Sequence, residues 1–387
     1  MGKEHALRWG LLGAGAMAGS FADNLRTEGF TLQAVGARDG GRAREFADRY
    51  GIATAHEGYD ALVNDPTVDV VYVNTTHNLH AEHALLAIEA GKPVLVEKAF
   101  TVTAAQARRV AEAARAAGVF AMEAMWTRFL PSTDFVRERI ADGSLGEVRA
   151  VITDHSQKLN PDPKGRLHNP QLAGGALLDL GVYNVSFALD LLGAPSEIVA
   201  RGTLTATGVD AEVAMTLTHA GGALSEGHTT MLSAGPSRGA VIGTDGYLEL
   251  DGAFYNWTTV RRYTARQELA ETFEPHRTSR GMHFQALEVE RCLREARAAG
   301  ARACVEVPHA ARETGGDERR EEGGEENVEP DAQGHRNLRP HFGPNRFLQS
   351  PCPVCLPELS DVDLALGSAL VHACGLRDGH PFGKVAG

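Results

Sequence analysis

The sequence predicts an α/β protein of two domains, the first on a parallel sheet and the second on mostly antiparallel strands. Three observations predict it. Strand and helix signals alternate through the first 120 residues, as in parallel sheets with right-handed crossovers. A glycine-rich loop, Gly13-Ala-Gly15-Ala-Met-Ala18, joins the first strand signal to the first helix signal. From Glu197 to Tyr263, apolar and polar residues alternate between turn signals. The chain has 387 residues, and at roughly 100–200 residues per domain two domains are the natural division.

Taken in order, Leu7–Leu12 is a short apolar run, and Met17–Arg26 has helical spacing through Met17, Phe21 and Leu25. Leu32–Val35 reads as a strand and Arg42–Tyr50 as a helix. Val68–Val73 is almost wholly apolar and β-branched, which suits a strand buried on both faces. His80–Ala90 is helical, Val94–Val96 a strand, Ala104–Ala117 helical, and Val119–Met122 closes the series. After Trp126 the texture changes. Val136–Ile140 reads as helical, Gly146–Asp154 as a strand, and Leu177–Leu192 as one long amphipathic helix stopped by Gly193 and Pro195. Turns at Gly208, Gly221–Gly222, Gly235–Pro236, Asp245–Gly246 and Asp251–Gly252 divide the strands that follow. Met282–Ala296 is a helix with Phe284, Leu287 and Cys292 at apolar positions. From about His309 periodicity collapses, which predicts a mostly disordered tail with one short helix available at Leu364–Cys374. The expected division is 1–122, 123–308 and 309–387.

A hydrophobic fraction of 43% excludes wholesale disorder. The net charge is −12, from 38 basic and 50 acidic residues, with no basic stripe, so nucleic acid is not an expected partner. Half of that excess, a net −6 from nine acids and three bases, falls between Arg312 and Asp331. No apolar run reaches the ~18–20 residues a membrane span needs, so no membrane partner is expected. The N-terminus lacks a signal peptide's layout, and the first 291 residues hold no cysteine, which together suit a cytoplasmic protein. Cys352-Pro-Val-Cys355, with His372 and Cys374, has the donors for zinc but lacks the knuckles that present them, so no metal site is expected.

Gly13–Ala18 fits G-x-G-x-x-G/A in its confirming context, after a strand and opening a helix. Gly13 permits the tight turn, Gly15 lets the backbone approach a pyrophosphate, and Ala18 allows close helix–strand packing. Ala16 and Met17 begin the helix whose N-terminus favours the phosphates. The second strand ends at Ala37, followed by Arg38, which suits a 2′-phosphate; Asp39 is the NAD-type alternative. NADP is therefore expected in preference to NAD. Glu97-Lys98 ends a buried strand at the sheet edge where ligands bind. His77 and His80 also follow a buried strand and lie near that edge.

Five ordered motifs carry a resemblance. They are Gly13–Ala18, Asn78-Leu-His80-Ala-Glu82, Glu97-Lys98, Met122-Glu-Ala-Met-Trp126-Thr-Arg128-Phe-Leu-Pro131, and Gly174-Gly175-Ala-Leu-Leu-Asp179-Leu-Gly181-Val-Tyr183. Over about residues 5–308 the chain resembles the glucose–fructose oxidoreductase / inositol dehydrogenase / MocA family. The last two motifs are most similar to its dihydrodiol dehydrogenase and NADP-dependent xylose dehydrogenase branch. The resemblance implies a Rossmann domain followed by an α/β domain with a large, mostly antiparallel sheet. It implies hydride transfer between NAD(P) and a carbinol or carbonyl of a sugar, polyol or trans-dihydrodiol. It maps the family lysine to Lys98 and the acid/base tyrosine to Tyr183. The family reads Glu-Lys-Pro where this chain has Ala99, and the sequence after about Arg294 departs from the family's usual C-terminal helix and strand, as a shifted frame or replaced C-terminus would.

Asp179 and Tyr183 are four apart and share a face of the expected helix, so Asp179 is placed to hold the lysine or a sugar hydroxyl. A free tyrosine titrates near ~10, and a neighbouring lysine cation is expected to lower that value. Trp126 and Arg128 are expected on the substrate side. Asn74, Thr75, His80, Glu97 and Lys98 complete the expected cofactor set, with His80 a packing or helix-start residue rather than a catalyst. The open face of the sheet between Glu197 and Tyr263 is expected to form a homodimer. The alternative function is a catalytically silent dinucleotide-binding sensor; retention of Lys98 and Tyr183 favours the enzyme.

Overall fold

Strands β1 (Arg8–Leu12), β2 (Thr31–Ala37), β3 (Thr54–Glu57), β4 (Val70–Val73), β5 (Val94–Glu97) and β6 (Ala121–Ala124) pair in parallel in the order β6–β5–β4–β1–β2–β3. The computed structural model describes residues 7–277, 279–298, 305–306 and 384–386. Strand order reverses between β1 and β4, and the crevice beyond their C-terminal ends is where such sheets bind ligands. Helices α1 (Ala16–Thr27), α2 (Gly40–Tyr50), α3 (Tyr59–Val63), α4 (His80–Glu89) and α5 (Ala104–Ala117) form the crossovers.

The packing follows from the side chains. All residues of β4 are buried, so the strand is apolar on both faces. On one face Phe21 of α1 stacks on Tyr72 at 4.0 Å and meets Trp9 edge-on at 5.5 Å, tying α1 to the strands on either side of the crevice. Helix starts are set by side chains: Asp39 accepts from the Arg42 N–H, and Thr103 and Gln106 form a reciprocal capping box. The strand β3 and helix α3 were not legible, because Thr54-Ala-His-Glu57 is a half-exposed edge without an apolar pattern.

After α6 (Pro131–Ala141) the chain builds a second sheet from β7 (Val148–Ser156), β8 (Pro195–Leu204), β9 (Asp210–His219), β10 (Leu224–Thr230), β11 (Gly239–Gly243), β12 (Gly246–Leu250), β13 (Val260–Thr264) and β14 (Leu269–Phe273). Their order is β14–β13–β12–β11–β7–β10–β9–β8, antiparallel throughout except that β7 and β10 run parallel. Helix α7 (Val182–Leu192) packs on β7 and β10. Helix α8 (His283–Ala298) returns to α1, where Asn24 Oδ1 accepts the Met282 N–H at 3.3 Å. Strand β15 (Val305–Glu306) then pairs in parallel with β6, and β16 (Lys384–Ala386) pairs antiparallel with β8. The expected tail disorder, the helix at Leu364–Cys374 and the Cys352–Cys355 pair otherwise lie outside the described residues.

The long helix expected over Leu177–Leu192 is divided. Leu177–Gly181 is a π turn, in which the Val182 N–H reaches the Leu177 carbonyl five residues back, and α7 starts only at Val182. The turn is anchored from outside: Asp210 accepts the Leu177 N–H, and Gly175, at φ +125°, passes so close to Asp210 that a side chain would collide. By length and composition Pro170–Leu192 is apolar enough to cross a membrane, which the sequence reading did not register; here 89% of its apolar window is buried inside the fold.

Thr103→Val should remove the cap of α5 and lower stability by about 1 kcal/mol. Urea denaturation checks this, and an unchanged midpoint would show that the capping box contributes nothing.

Candidate active site

The strand-to-helix loop after β1 is shaped to receive phosphates. Gly13 has φ +115°, and a Cβ there would stand 3.0 Å from Asn74 Oδ1 and 3.2 Å from the Asn74 carbonyl. Gly15 is the N-cap of α1 with no side-chain cap, and nothing lies within 4 Å of where its Cβ would be. The first N–H groups of α1, at Ala16, Met17 and Ala18, have no acceptor within the helix and stand at the positive end of its dipole. Asn74, just after β4, donates to the Gly13 carbonyl at 3.3 Å, while its buried Oδ1 has no hydrogen-bond partner among the described residues. A backbone cradle beside an orphaned buried acceptor fits a dinucleotide.

Beside the loop, Ala37 ends β2 and is buried, while Arg38 is exposed. The Asp39 carboxylate is committed to the cap of α2 at 2.8 Å. Arg42, one turn into that helix, reaches the Ala14 carbonyl at 3.4 Å, a second cation at the loop that sequence reading missed.

Three of the expected cofactor residues have protein partners of their own. Both His80 ring nitrogens face backbone carbonyls, Ala99 at 2.8 Å and Thr75 at 3.1 Å, so the ring buckles two loops together. The Thr75 hydroxyl is held by His83 at 2.9 Å. The Glu97 carboxyl is buried beneath the site and bonded to the Tyr72 hydroxyl and the Lys98 N–H. Burial pushes that carboxyl up to about 7. The peptide between Lys98 and Ala99 is cis.

Lys98 crosses from the first sheet to the π turn. Its Nζ donates to the Asp179 carbonyl at 2.6 Å and lies 3.3 Å from Asp179 Oδ1. Both side chains are largely buried, 11% and 14% exposed. Arg166 also donates to Asp179 Oδ1, at 3.1 Å, and His77 Nε2 lies 3.9 Å from it. Burial opposes the charge on Asp179, but Lys98 and Arg166 outweigh it and hold the carboxyl well below its usual range. Burial likewise opposes the ammonium, and Asp179, Tyr183 and Glu97 together raise it above a free lysine.

The Lys98 ammonium stands 5.0 Å from the centre of the Tyr183 ring, whose hydroxyl accepts from Trp126 Nε1 at 3.3 Å. Lys98 does pull the tyrosine down, as expected, but burial outweighs it. Burial raises the phenol above its ordinary value, and the pull of Lys98 and the Trp126 hydrogen bond only reduce the rise. Trp126 is only 2% exposed and packs against the phenol. Arg128 donates to Asp190 at 2.9 Å, and Asp190 takes Arg137 at 2.6 Å. Two guanidiniums on one buried carboxylate fasten α7 to α6 and to the turn before it.

Sequence reasoning missed the contribution of the second sheet. His155 donates from Nδ1 to the Leu180 carbonyl at 3.0 Å, stacks on Tyr255 at 3.9 Å and meets Tyr183 edge-on at 5.2 Å. Gln157 donates to both His155 Nε2 (2.8 Å) and the Tyr255 hydroxyl (2.9 Å). Arg280 lies over the Trp126 ring at 5.9 Å. The signal available was strand alternation: the β7 reading ended at Asp154, one residue short of His155, whereas the strand runs to Ser156.

Comparison with known proteins agrees with this architecture. Residues 7–125 match the model of an oxidoreductase family with an NAD-binding Rossmann fold, and residues 134–249 match that of the GFO/IDH/MocA C-terminal domain. A trans-1,2-dihydrobenzene-1,2-diol dehydrogenase of Mus musculus is 38% identical over 250 residues, covering 63% of this chain and 74% of the mouse protein. Among solved structures, an aldose-aldose oxidoreductase from Caulobacter crescentus superposes with a TM-score of 0.67 at 27% identity, covering 77% of this chain and 91% of that one. A 3-ketoreductase from Actinomadura kijaniata in complex with NADP and TDP-benzene superposes with a TM-score of 0.66 at 28% identity, covering 76% and 90%.

The buried imidazoles give the fold a defined acid response. Burial lowers His77 to about 3 and His80 and His155 to about 4, from 6.5. Below pH 6.5 the unfolded chain protonates these rings while the folded chain does not, so their contribution to stability is lost as pH falls toward 4. Glu97, raised to about 7, acts the other way: the folded state keeps its proton, and stability is lost as pH rises from 4.5 to 7. His83 and His219 are lowered by burial as well and Glu123 is raised, so the shifted imidazoles outnumber the shifted carboxyls and unfolding takes up protons near pH 5.5, with stability falling as the pH falls. Denaturation at several pH values measures the slope; a flat profile between pH 5 and 6.5 would contradict the neutral buried imidazoles.

Proposed function

Because the chain belongs to the GFO/IDH/MocA oxidoreductase family, we propose that Tyr183 carries the proton of its reaction, with Lys98 positioned by Asp179 and NADP as the preferred cofactor. The protein is an NAD(P)-dependent oxidoreductase that exchanges a hydride between the nicotinamide and a CH–OH or carbonyl carbon of a sugar, polyol or trans-dihydrodiol. The bound dinucleotide supplies the hydride chemistry, and the chain supplies orientation and proton handling.

The observation that carries the reading is the Lys98 ammonium set between Asp179 and the Tyr183 ring. Two of its three N–H groups are directed at Asp179, which leaves the third for a substrate oxygen. Buried and above its usual pKa, Tyr183 holds its proton at neutral pH and is ready to give it to a carbonyl oxygen during reduction. The phenolate left behind keeps the Trp126 N–H and lies in the field of the ammonium. In the oxidative direction the same groups favour the phenolate that takes the hydroxyl proton. His77 and His155, with their low pKa values, stay neutral and add no competing charge.

Support for NADP comes from Arg38 and Arg42 flanking the loop, and from Asp39, whose carboxylate is occupied by a helix cap. The homodimer reading rests on the sheet face opposite α7. There Ile152, Val199 and Leu224 are about 40% exposed, among Arg201, Glu226 and Glu249. An apolar face with both charge signs suits a two-fold contact with a second copy.

Tyr183→Phe should lower turnover by about 10²–10⁴-fold while leaving NADP affinity within a factor of two or so; a variant that keeps most of its activity would remove Tyr183 from the proton path. Arg38→Ala should raise the Michaelis constant for NADP far more than for NAD, and equal effects would refute the phosphate role. Light scattering at micromolar concentration should give twice the chain mass; a monomer would contradict the sheet-face contact.

A further inference from the structure

Two cations close on the Asp179 carboxylate, and they close on the same oxygen. Lys98 Nζ lies 3.3 Å from Oδ1, and Arg166 Nη2 donates to that atom at 3.1 Å. Arg166 opens a short turn, Arg166–His168, in the connection between β7 and the π turn. The backbone is shaped to hold that turn in place. The Gly175 N–H donates to the Leu167 carbonyl at 3.0 Å. A Cβ on Gly174 would stand 2.4 Å from the Leu167 carbonyl oxygen and 2.7 Å from that of Arg166, so the turn fills the space a side chain would need. The two glycines that lead into the π turn therefore seat the Arg166 guanidinium against the carboxylate that the π turn presents.

Formal charge at the site does not favour a phenolate without Arg166. Lys98 and Asp179 alone sum to zero, whereas a Tyr183 phenolate is favoured by a net positive neighbourhood. Around Tyr183 stand Lys98 and Glu97 from the end of β5, Asp179 from the π turn, Trp126 from the turn after β6 with Arg280 over its ring, His155 from β7, Tyr72 from β4, and Tyr255 from the connection after β12. Lys98 and the Trp126 N–H favour the phenolate, while Glu97 and Asp179 oppose it. Burial keeps His155 and His77 neutral. Arg166 faces Asp179, Lys98 and His77. Its guanidinium is permanently charged, and on Asp179 Oδ1 it offsets negative charge that would otherwise cancel the ammonium. At 39% exposure its field is screened in part.

We propose that Arg166 is a positioning residue of the reaction, holding the Asp179 carboxylate so that the Lys98 ammonium remains available as countercharge to the Tyr183 oxygen. The proposal rests on the reading of Tyr183 as the proton carrier. The test uses Arg166→Gln, which removes the charge, and Arg166→Lys, which keeps it. Two quantities are measured on the full chain. One is the alkaline titration of Tyr183, taken as the ultraviolet phenolate difference between each protein and the same protein carrying Tyr183→Phe. The other is kcat against pH for NADP reduction with trans-1,2-dihydrobenzene-1,2-diol.

Arg166→Gln should move the phenolate titration upward by about half to one pH unit, as fits a partly screened charge that does not touch the phenol. On the rising limb of the pH profile kcat should fall by about three- to tenfold, with KM for NADP within about twofold of the wild type. Arg166→Lys should recover both quantities. A merely structural role would cost activity in both variants and leave the titration where it was, and that result overturns the proposal. Equal displacement of the titration in the Gln and Lys variants overturns it too, because charge would then not be the cause. An unmoved titration beside an inactive Tyr183→Phe defeats the proposal alone. If Tyr183→Phe keeps its turnover, the proton-carrier reading falls and the role of Arg166 falls with it.

Discussion

A single buried ammonium joins the two halves of this molecule at its site. Lys98 leaves the end of β5 in the first sheet and is received by the carbonyl and carboxylate of Asp179 beneath the second. Removing two charges from water costs several kcal/mol per ion unless hydrogen bonds and Coulomb attraction return it. Here the return is assembled from both sides: Asp179 is also held by Arg166, and a neutral His77 faces it without competing for the proton. Either charge alone would be an uncompensated charge in the interior. The pair therefore sets the relative placement of the two sheets at the point where a nicotinamide and its substrate must meet.

The π turn makes this possible. A regular helix spends each carbonyl on the amide four residues on, whereas a widened turn can direct carbonyls to side chains. The Asp179 carbonyl goes to Lys98 and the Leu180 carbonyl to His155, so two neighbouring backbone groups orient the cation on one side of Tyr183 and the imidazole on the other. The turn is imposed from outside by Gly175 and Asp210. At the turn Lys98 and Asp179 form a buried ion pair, with Arg166 closing it from a more exposed position. A raised tyrosine and lowered histidines share one cause, burial, and together keep the surroundings of the ion pair uncharged.

The parts legible in the sequence were those with local causes. The phosphate loop and the alternation of strands and helices follow from spacing and motif, whereas the pairing of Lys98 with Tyr183 was implied only by the family resemblance, Lys98 and Asp179 being eighty-one residues apart. What was not legible depended on distant residues. The π turn needs Asp210, thirty-three positions beyond Leu177. The anchoring of Arg128 was not legible because its partner Asp190 lies sixty-two residues away. His155 and Gln157 escaped because the end of a strand carries no signal of which rings it will stack against. The pull of Lys98 on Tyr183 was foreseen but the larger opposing effect of burial was not, because a nearby cation is visible in a motif and the depth of burial is not.

The most direct measurement is a double-mutant cycle on turnover with Lys98→Met and Tyr183→Phe. If the ammonium acts through the phenol and their shared substrate oxygen, the double variant should be scarcely slower than the worse single variant, with coupling of several kcal/mol. If instead the two losses multiply, Lys98 and Tyr183 work independently, and the ion pair joining the sheets is not what organises the chemistry.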